Sequence, residues 1–369
     1  MKFKVSSGEL LNRLQAQNRT IDSKSPIPIL ENFLFELNDG KLTITASDSE
    51  TTIVSELEVS DSDGNGRIAI AGTRLTDYLK RLPEQPVTFS INDLEVEIST
   101  MSGKNTQMGF NADEYPVNPR LEPDANNFSL DAEILLAGIG KTAFAAGNDD
   151  LRPIMNGIYF DIEDNMLTFV ATDSHKLAQF NRSELSIGFT NSFVLGKKPA
   201  NIIKNIFAKN DGPISITFDS KYIVFTSTTF TLYCRRIQGT YPAYKSVIPN
   251  SNPFCVTVNR NDLVNAIGRA ALFTDGTGLI KFDIQPNIIH IVAQDLNFQC
   301  GSEETIACQY DSTPMSIGFK ATILNDLLSN FDSTDIQIKL SDPTRAGIFT
   351  PATQKENENV LMLVMPMKI

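Results

Sequence analysis

The stretch "FLFELNDGKLTITASD", Phe33 to Asp48, alternates apolar and polar residues, breaks at Asn-Asp-Gly, and then alternates again. Two later stretches repeat it: "IYFDIEDNMLTFVATD", Ile158 to Asp173, and "IKFDIQPNIIHIVAQD", Ile280 to Asp295. All three are sixteen residues long and align without a gap, at spacings of 125 and then 122 residues. Phe35, Phe160 and Phe282 coincide, as do Ala46, Ala171 and Ala293, and finally Asp48, Asp173 and Asp295. Period-two alternation interrupted by turn residues is the pattern of a β-hairpin. A hairpin met three times at nearly constant spacing marks a repeated domain.

Helical signals share the period. "SSGELLNRLQAQNR" precedes the first hairpin and "AGTRLTDYLKRLP" follows it, with apolar residues at i, i+3 and i+4, and both recur in the other thirds. The spacing predicts six helices, over 9–19, 74–81, 131–141, 197–209, 260–269 and 320–330. Segments such as "QPVTFSINDLEVEIST" alternate as strands. Each third reads strand, helix, hairpin, strands, helix, hairpin, strands. Joints rich in Pro and Asn, "YPVNPRLEPDANN" and "YPAYKSVIPNSNP", separate the thirds. The expected architecture is three tandem copies of one α+β domain, at 1–122, 123–250 and 251–369, within a chain of 369 residues.

Composition narrows the function classes. Apolar content of 41% and charged content of 21% describe a globular chain rather than a disordered one. No apolar run nears the roughly 20 residues that span a bilayer, and "MKFKVSSGELL" lacks the apolar core of a signal peptide. A cytoplasmic protein without membrane partners is expected. Cys234, Cys255, Cys300 and Cys308 show no metal-ligand spacing and read as reduced thiols, so no metal or other cofactor is expected. There is no P-loop, no GxGxxG after a strand, no HExxH and no GxSxG.

The exit of the second hairpin, "VATDSHKLA" at Val170 to Ala178, brings Thr, Asp, Ser and His together. The sister copies continue as "ASDSET" and "AQDLNF", without the His. An Asp inherited by all three copies reads as a turn or cap residue. A Ser-His-Asp triad also needs convergence in space, which near neighbours at one strand end rarely achieve. His175 reads as a hydrogen-bonded, partly buried ring, and the acidic pair after Asn148 as a solvated loop.

The net charge of −12, taken as an average, argues against nucleic acid. Its distribution argues otherwise. The six helical windows hold thirteen Lys/Arg against six Asp/Glu, a net of +7, so the remainder carries −19. Helices facing one common surface would attract a phosphate backbone while the exterior repelled it. The plainer alternative is that these cations only solubilise helix surfaces. No aromatic residues interleave with them, so stacking on bases is not indicated.

Three tandem domains with "ATDSHKLA" in the second, "YPAY" at the joint to the third and "VMPMKI" at the end resemble the bacterial DNA polymerase III β subunit, the family of sliding clamps. "PILENFLFEL" and "RPIMNGIYF" extend the resemblance over the whole chain. It implies three copies of the DNA-clamp fold, strands outside and two helices per domain inside, closed head to tail with a second copy into a ring round duplex DNA. It implies a non-catalytic processivity role, with the replicative polymerase α subunit, the clamp-loader δ subunit and other proteins bearing a clamp-binding motif as partners. The family's peptide pocket falls on Met155, Thr172, His175, Lys176, Leu177, Pro242, Val247, Leu363, Val364, Met365, Pro366 and Met367. Ser174 stands where Gly is usual, Ser246 and Lys176 where Arg is usual, and Ile323 where Tyr is usual.

Lys24 matches an Arg that touches duplex DNA, with Asn148 and Asp149 in a corresponding loop of the second domain. Arg74, Lys80, Lys141, Lys197, Lys198 and Arg269 are the other DNA-facing candidates. Leu272 and Phe273 are expected to meet Thr106 and Met108 of a second copy, with Thr106 replacing an aromatic. Two rival classes stand beside this reading: a hydrolase built on Asp173, Ser174 and His175, and a monomeric three-repeat scaffold that never meets DNA.

Overall fold

The computed structural model describes residues 1–22, 24–209 and 212–369. The first repeat runs β1 (Lys2–Ser6), α1 (Ser7–Gln17), β2 (Asn32–Asn38), β3 (Lys41–Ser47), β4 (Thr51–Glu58), β5 (Ser60–Asp63), β6 (Gly66–Ala71), α2 (Gly72–Leu79), β7 (Pro86–Asn92), β8 (Glu95–Ser99) and β9 (Lys104–Met108). The second runs β10 (Asn126–Asp131), α3 (Ala132–Thr142), β11 (Gly157–Glu163), β12 (Met166–Thr172), β13 (Lys176–Arg182), β14 (Asn191–Gly196), α4 (Lys197–Ile206), β15 (Pro213–Phe218), β16 (Tyr222–Thr226) and β17 (Phe230–Arg235). The third runs β18 (Phe254–Asn259), α5 (Arg260–Ala270), β19 (Leu279–Gln285), β20 (Ile288–Asp295), β21 (Cys300–Ala307), β22 (Met315–Lys320), α6 (Ala321–Leu328), β23 (Asp335–Leu340), β24 (Gly347–Pro351) and β25 (Glu358–Val364). Apart from the short β5, each repeat is one strand–helix–three-strand pattern played twice.

The three sixteen-residue stretches are the hairpins β2–β3, β11–β12 and β19–β20. Leu37 faces Leu42, Ile162 faces Leu167, and Ile284 faces Ile289 across them. In the first, Asp39 and Gly40 turn the chain with φ of 47° and 80°. Positive φ at both central residues gives the turn the twist that the flanking strands require.

The helices bury one stripe each: Leu10 and Leu14 on α1, Leu75 and Leu79 on α2, Leu263 and Ile267 on α5, Leu324 and Leu328 on α6. Ser6 caps α1 by accepting the Glu9 N–H, and Asn259 caps α5 by accepting those of Asn261 and Asp262. α4 and α6 are shorter than the spacing predicts, α1 and α2 start and end two residues earlier, and the difference falls on cations. Arg19, Lys80, Arg81 and Lys209 lie past C-terminal ends, and Lys320 precedes α6. Cations collect just past helix C-termini because the helix dipole is negative there. The six helices among the described residues hold eight Lys/Arg and five Asp/Glu, a net of +3 rather than +7.

The chain packs as two compact units, residues 1–133 with 201–236 and residues 134–200 with 237–369. The first holds the sheet β5-β1-β7-β8-β9 and the eight-stranded sheet β10-β15-β16-β17-β4-β3-β2-β6. The second holds the eight-stranded sheet β14-β11-β12-β13-β25-β24-β23-β18 and the sheet β21-β20-β19-β22. These units cut across the repeats, because the second repeat lends strands to both long sheets. Its β17 pairs with β4 of the first repeat, and its β13 with β25 of the third. In the first unit Phe3, Phe33, Phe35 and Phe89 form the centre of a core between helices and sheets, with Phe3 and Phe89 stacked at 5.0 Å.

Candidate functional site

The repeated Asp at each hairpin exit is a turn residue. Asp48 Oδ1 accepts the N–H groups of Glu50 and Thr51, Asp173 Oδ1 those of His175 and Lys176, and Asp295 Oδ1 those of Asn297 and Phe298. A short carboxylate that bonds the backbone two and three residues on replaces the missing ladder bonds where a strand reverses. In the second repeat the turn gains a charge: Lys176 Nζ lies 2.9 Å from Asp173 Oδ2. Burial pushes the Asp173 carboxyl up, but the Lys176 ammonium and the two backbone donors outweigh it and hold it below the usual carboxylate range.

The Asp173, Ser174 and His175 side chains form no relay. The Ser174 hydroxyl accepts from Arg152 Nη1 at 2.6 Å. His175 sits at the apex of the turn with its ring exposed, contrary to the partly buried ring expected for it. Ser174 has φ 79°, in the left-handed region that favours glycine, which accounts for the Gly usual at this position.

Beside this turn lies a groove of about 510 Å³. Its walls are Met155 on the 3₁₀ turn Pro153–Met155, Thr172 and Leu177 on the second hairpin's exit, and Leu363 and Met365 on the chain's tail. Pro242, Ala243, Tyr244, Ser246 and Val247 supply the rest from the joint, which ends in the 3₁₀ turn Tyr244–Val247. Leu177 and Leu363 face each other across β13 and β25. Both rest on an apolar cluster with Val170, Val194, Tyr241 and Tyr244. Tyr159 and Tyr241 stack at 4.6 Å beneath it. Tyr244 donates to Asp161 Oδ2 at 2.7 Å, and Lys245 Nζ reaches Asp161 and Glu163 at 3.2 and 3.1 Å, so the joint is pinned to β11. Burial, and then the Asp161 carboxylate, raise the Tyr244 hydroxyl well above its ordinary pKa.

The volume suits a short apolar ligand segment rather than a protein face. Two cations stand at its rim. Arg152 is held by Asp149 at 2.9 Å, which keeps the Asp149 carboxyl low, and by Ser174. Lys176 is held by Asp173 and is the more buried of the two.

Of the residues read from the sequence, Met155, Thr172, Lys176, Leu177, Pro242, Val247, Leu363 and Met365 meet in this groove. His175, Val364, Pro366 and Met367 do not line it. His175 projects from the turn and contributes its carbonyl, which accepts from Met365 N–H at 2.9 Å. Val364 follows Leu363 on β25, so its side chain takes the opposite face and is fully buried. Pro366 is the link onward to Met367, whose N–H donates to the Gly318 carbonyl on β22 at 2.8 Å. Gly318 permits that crossing, since a Cβ there would meet the Met367 carbonyl at 2.8 Å. Ile323 lies on α6, outside the lining. Arg152, Ala243 and Tyr244 are groove residues that the pocket positions read from the sequence omit; the place of Tyr244 in "YPAY" is the one signal that pointed to it.

The DNA-facing candidates divide. Lys24 and Lys198 are exposed. Lys80 pairs with Asp77 at 3.1 Å, and Arg74 lines a hollow of about 140 Å³ beside β9. Lys197 Nζ bonds the Gly147 carbonyl at 3.3 Å. Arg269 forms a two-pronged pair with Glu304, at 2.9 and 2.5 Å. Lys141 corrects the expectation: it bonds the Asn330 carbonyl and Asp332 past the end of α6, its side chain 16% exposed, so its charge is spent within the chain. Thr106 and Met108 lie on the edge strand β9, Met108 well exposed. Leu272 and Phe273 follow α5 in a 3₁₀ turn, 81% and 39% exposed.

This architecture is that of a sliding clamp. The fold is similar to crystal structures of the DNA polymerase sliding clamp from Pseudomonas aeruginosa (TM-score 0.95, 23% identical, all of both chains) and of the DNA polymerase III β subunit from Thermotoga maritima (TM-score 0.92, 24% identical, 100% of this chain and 99% of that one). Among curated relatives, the β sliding clamps of Staphylococcus epidermidis and Pseudomonas aeruginosa are 24% and 25% identical over the whole of this chain and 99% and 100% of their own. Family models for the N-terminal, central and C-terminal domains of the DNA polymerase III β subunit match residues 1–119, 129–243 and 245–368. The chain belongs to the DNA polymerase III β subunit family.

Proposed function

We propose that this chain is a sliding clamp for DNA replication: two copies close head to tail round duplex DNA, and the groove at the second joint tethers a polymerase to the ring. The groove carries the reading, because an apolar trough of that size with polar rims takes the end of an extended peptide and offers no reactive group. Domains at 1–122, 123–250 and 251–369 would give six in the closed ring. The chain itself does no chemistry; it raises the polymerase's effective concentration at the primer end. The polymerase α subunit and the clamp-loader δ subunit are the proposed bearers of the peptide, and the cytoplasm is the proposed compartment.

Ring closure is assigned to Leu272 and Phe273, large apolar groups that are costly to leave in water, meeting the β9 edge with Thr106 and Met108. A closed two-fold-related pair is the commonest assembly. Replacing both Leu272 and Phe273 with Asp is expected to give folded monomers in sedimentation and to abolish stimulation of primer extension. A variant that still sediments as a dimer would place the interface elsewhere. A wild-type protein that sediments as a monomer and leaves primer extension unchanged would favour the scaffold reading.

A further inference from the structure

The exits of the three repeated hairpins differ in length and in character. In the first, Ser49 and Glu50 separate Asp48 from Thr51, whose carbonyl accepts the Asp48 N–H; in the second, Ser174 and His175 separate Asp173 from Lys176 in the same way. In the third, Asp295 pairs with Cys300, and four residues stand between them, Leu296, Asn297, Phe298 and Gln299. The longer turn holds two large apolar side chains in solvent, Leu296 76% and Phe298 82% exposed, where the sister turns carry none. It is not slack: Asp295 Oδ1 accepts the Asn297 and Phe298 N–H groups, and Gln299 closes the turn at φ 52°. Large apolar groups held side by side in water mark a surface that something covers.

The two junctions inside the chain indicate what that is. At each, the strand leaving a hairpin exit runs antiparallel to the last strand of the following repeat: β4 beside β17, with Thr51 opposite Cys234, and β13 beside β25, with Lys176 opposite Val364. Both exit turns therefore lie at the C-terminal end of the neighbouring strand. The strand leaving the third exit, β21, ends its sheet, and β9, the last strand of the first repeat, ends another. Two copies joined head to tail would pair β21 with β9 by the same rule. Cys300 would then lie by Met108, with the turn before it against the residues that follow. Three exposed apolar side chains gather there. β9 reads Lys-Asn-Thr-Gln-Met, polar until Met108, and Leu94 and Phe110 flank that end: Glu95 pairs with Met108, and the Gly109 N–H donates to the Leu94 carbonyl at 2.7 Å. Phe110 is fixed by two backbone bonds to Ala69 on β6, so the patch is as firmly held as the turn. The same alignment sets Glu304, held by Arg269, level with Lys104, held by Glu97, so opposite charges meet at the far end of the seam.

We propose that Leu296 and Phe298 form an apolar clasp that seats on Leu94, Met108 and Phe110 of a second copy, apart from the contact assigned to Leu272 and Phe273. The assignment rests on the ring reading and adds to it a second anchor at each seam. Leu272 and Phe273 follow α5 and meet the polar middle of β9; the clasp covers its apolar end. A seam closed by two separate apolar contacts opens only when both part, so the clasp sets how readily the ring comes apart.

The test is sedimentation of the fluorescently labelled full-length protein across a dilution series, which yields the dimer's dissociation constant. Leu296→Ser with Phe298→Ser, at exposed turn positions that do not threaten folding, is expected to weaken each seam roughly 30-fold, and so a ring with two seams about 1,000-fold. A cycle of Phe298→Ala and Phe110→Ala separates contact from coincidence. Side chains that touch give a double variant weakened by less than the product of the two single effects. An effect equal to that product would overturn the clasp. A dissociation constant unchanged by Leu296→Ser with Phe298→Ser would overturn it too and assign the turn to a different partner. The ring reading would then still stand if Leu272→Asp with Phe273→Asp gives monomers. Wild-type protein that is monomeric at every concentration would overturn ring and clasp together.

Discussion

Tyr115 and Tyr241 occupy equivalent places in the two joints between repeats. Tyr115 donates to the Thr45 carbonyl at 3.4 Å and Tyr241 to the Val170 carbonyl at 3.5 Å, and Thr45 and Val170 are the same position of the repeated hairpin. Burial raises both hydroxyls well above their ordinary pKa. The hairpin exits beside them also match, with Asp48 and Asp173 bonding the backbone and Ser49 and Ser174 at φ 78° and 79°. Beyond that point the two joints diverge. At the first, Thr51 and Thr52 enter β4 and pair with Cys234 and Tyr233, and the Thr52 hydroxyl is satisfied by Ser47 at 2.7 Å. At the second, Lys176 and Leu177 pair with Val364 and Leu363, and the Tyr244 turn stands off to leave a groove. The turn is a local device; what packs against it decides whether it closes a surface or opens one.

The largest expected effect separates the joints by binding. Leu177→Ala should weaken a partner peptide by about 2 kcal/mol, roughly 30-fold, as removal of a central apolar anchor does. Thr52→Ala, its counterpart, should leave that affinity unchanged; fluorescence anisotropy with a labelled peptide checks both. Equal weakening in the two variants would break the comparison.

Next comes the turn itself. Asp173→Asn removes an ionised acceptor from two backbone donors and from Lys176, and should cost about 1–2 kcal/mol in urea unfolding at neutral pH. Because the folded-state pKa is depressed, this stability is present above the unfolded value and lost as pH falls through the folded one. The gap between wild type and variant should therefore shrink below about pH 4. A gap that persists at low pH would show that charge is not the source. Tyr115→Phe and Tyr241→Phe should each cost about 1 kcal/mol, by the same measurement, if the joints share one bond. Smallest are Ser49→Gly and Ser174→Gly. Both relieve a left-handed serine and should stabilise by a few tenths to about 1 kcal/mol. Only Ser174→Gly also frees Arg152, so only it should change affinity for peptides carrying a carboxylate.

The hairpins, the element order and the role of the repeated Asp were legible because strand and helix periods and turn chemistry are local. Helix ends were not, since a Lys just past the last turn continues the charge pattern without continuing the helix. "LMLVMPM" is apolar on both faces, so alternation could not say that Leu363 reaches the groove and Val364 the core; the β13–β25 register decides it. Lys141 looked available because Asp332 is 191 residues away. Met367 looked like groove wall because the Gly318 carbonyl that claims it lies on another strand. Each of these partners is chosen by tertiary packing rather than by sequence neighbours. Removing the tail from Met365 onward would therefore disturb β22 as well as the groove, and point variants are the cleaner probe.

The most direct test of the central claim is a crystal structure of the full chain with a short peptide ending in Leu and Phe. A groove of this kind is expected to bind it at micromolar strength, about −8 kcal/mol. The account predicts the peptide's apolar side chains over Leu177 and Leu363, between Met155 and Val247, with nothing bound at the first joint. A peptide seated elsewhere, or equally at the Tyr115 joint, would contradict it.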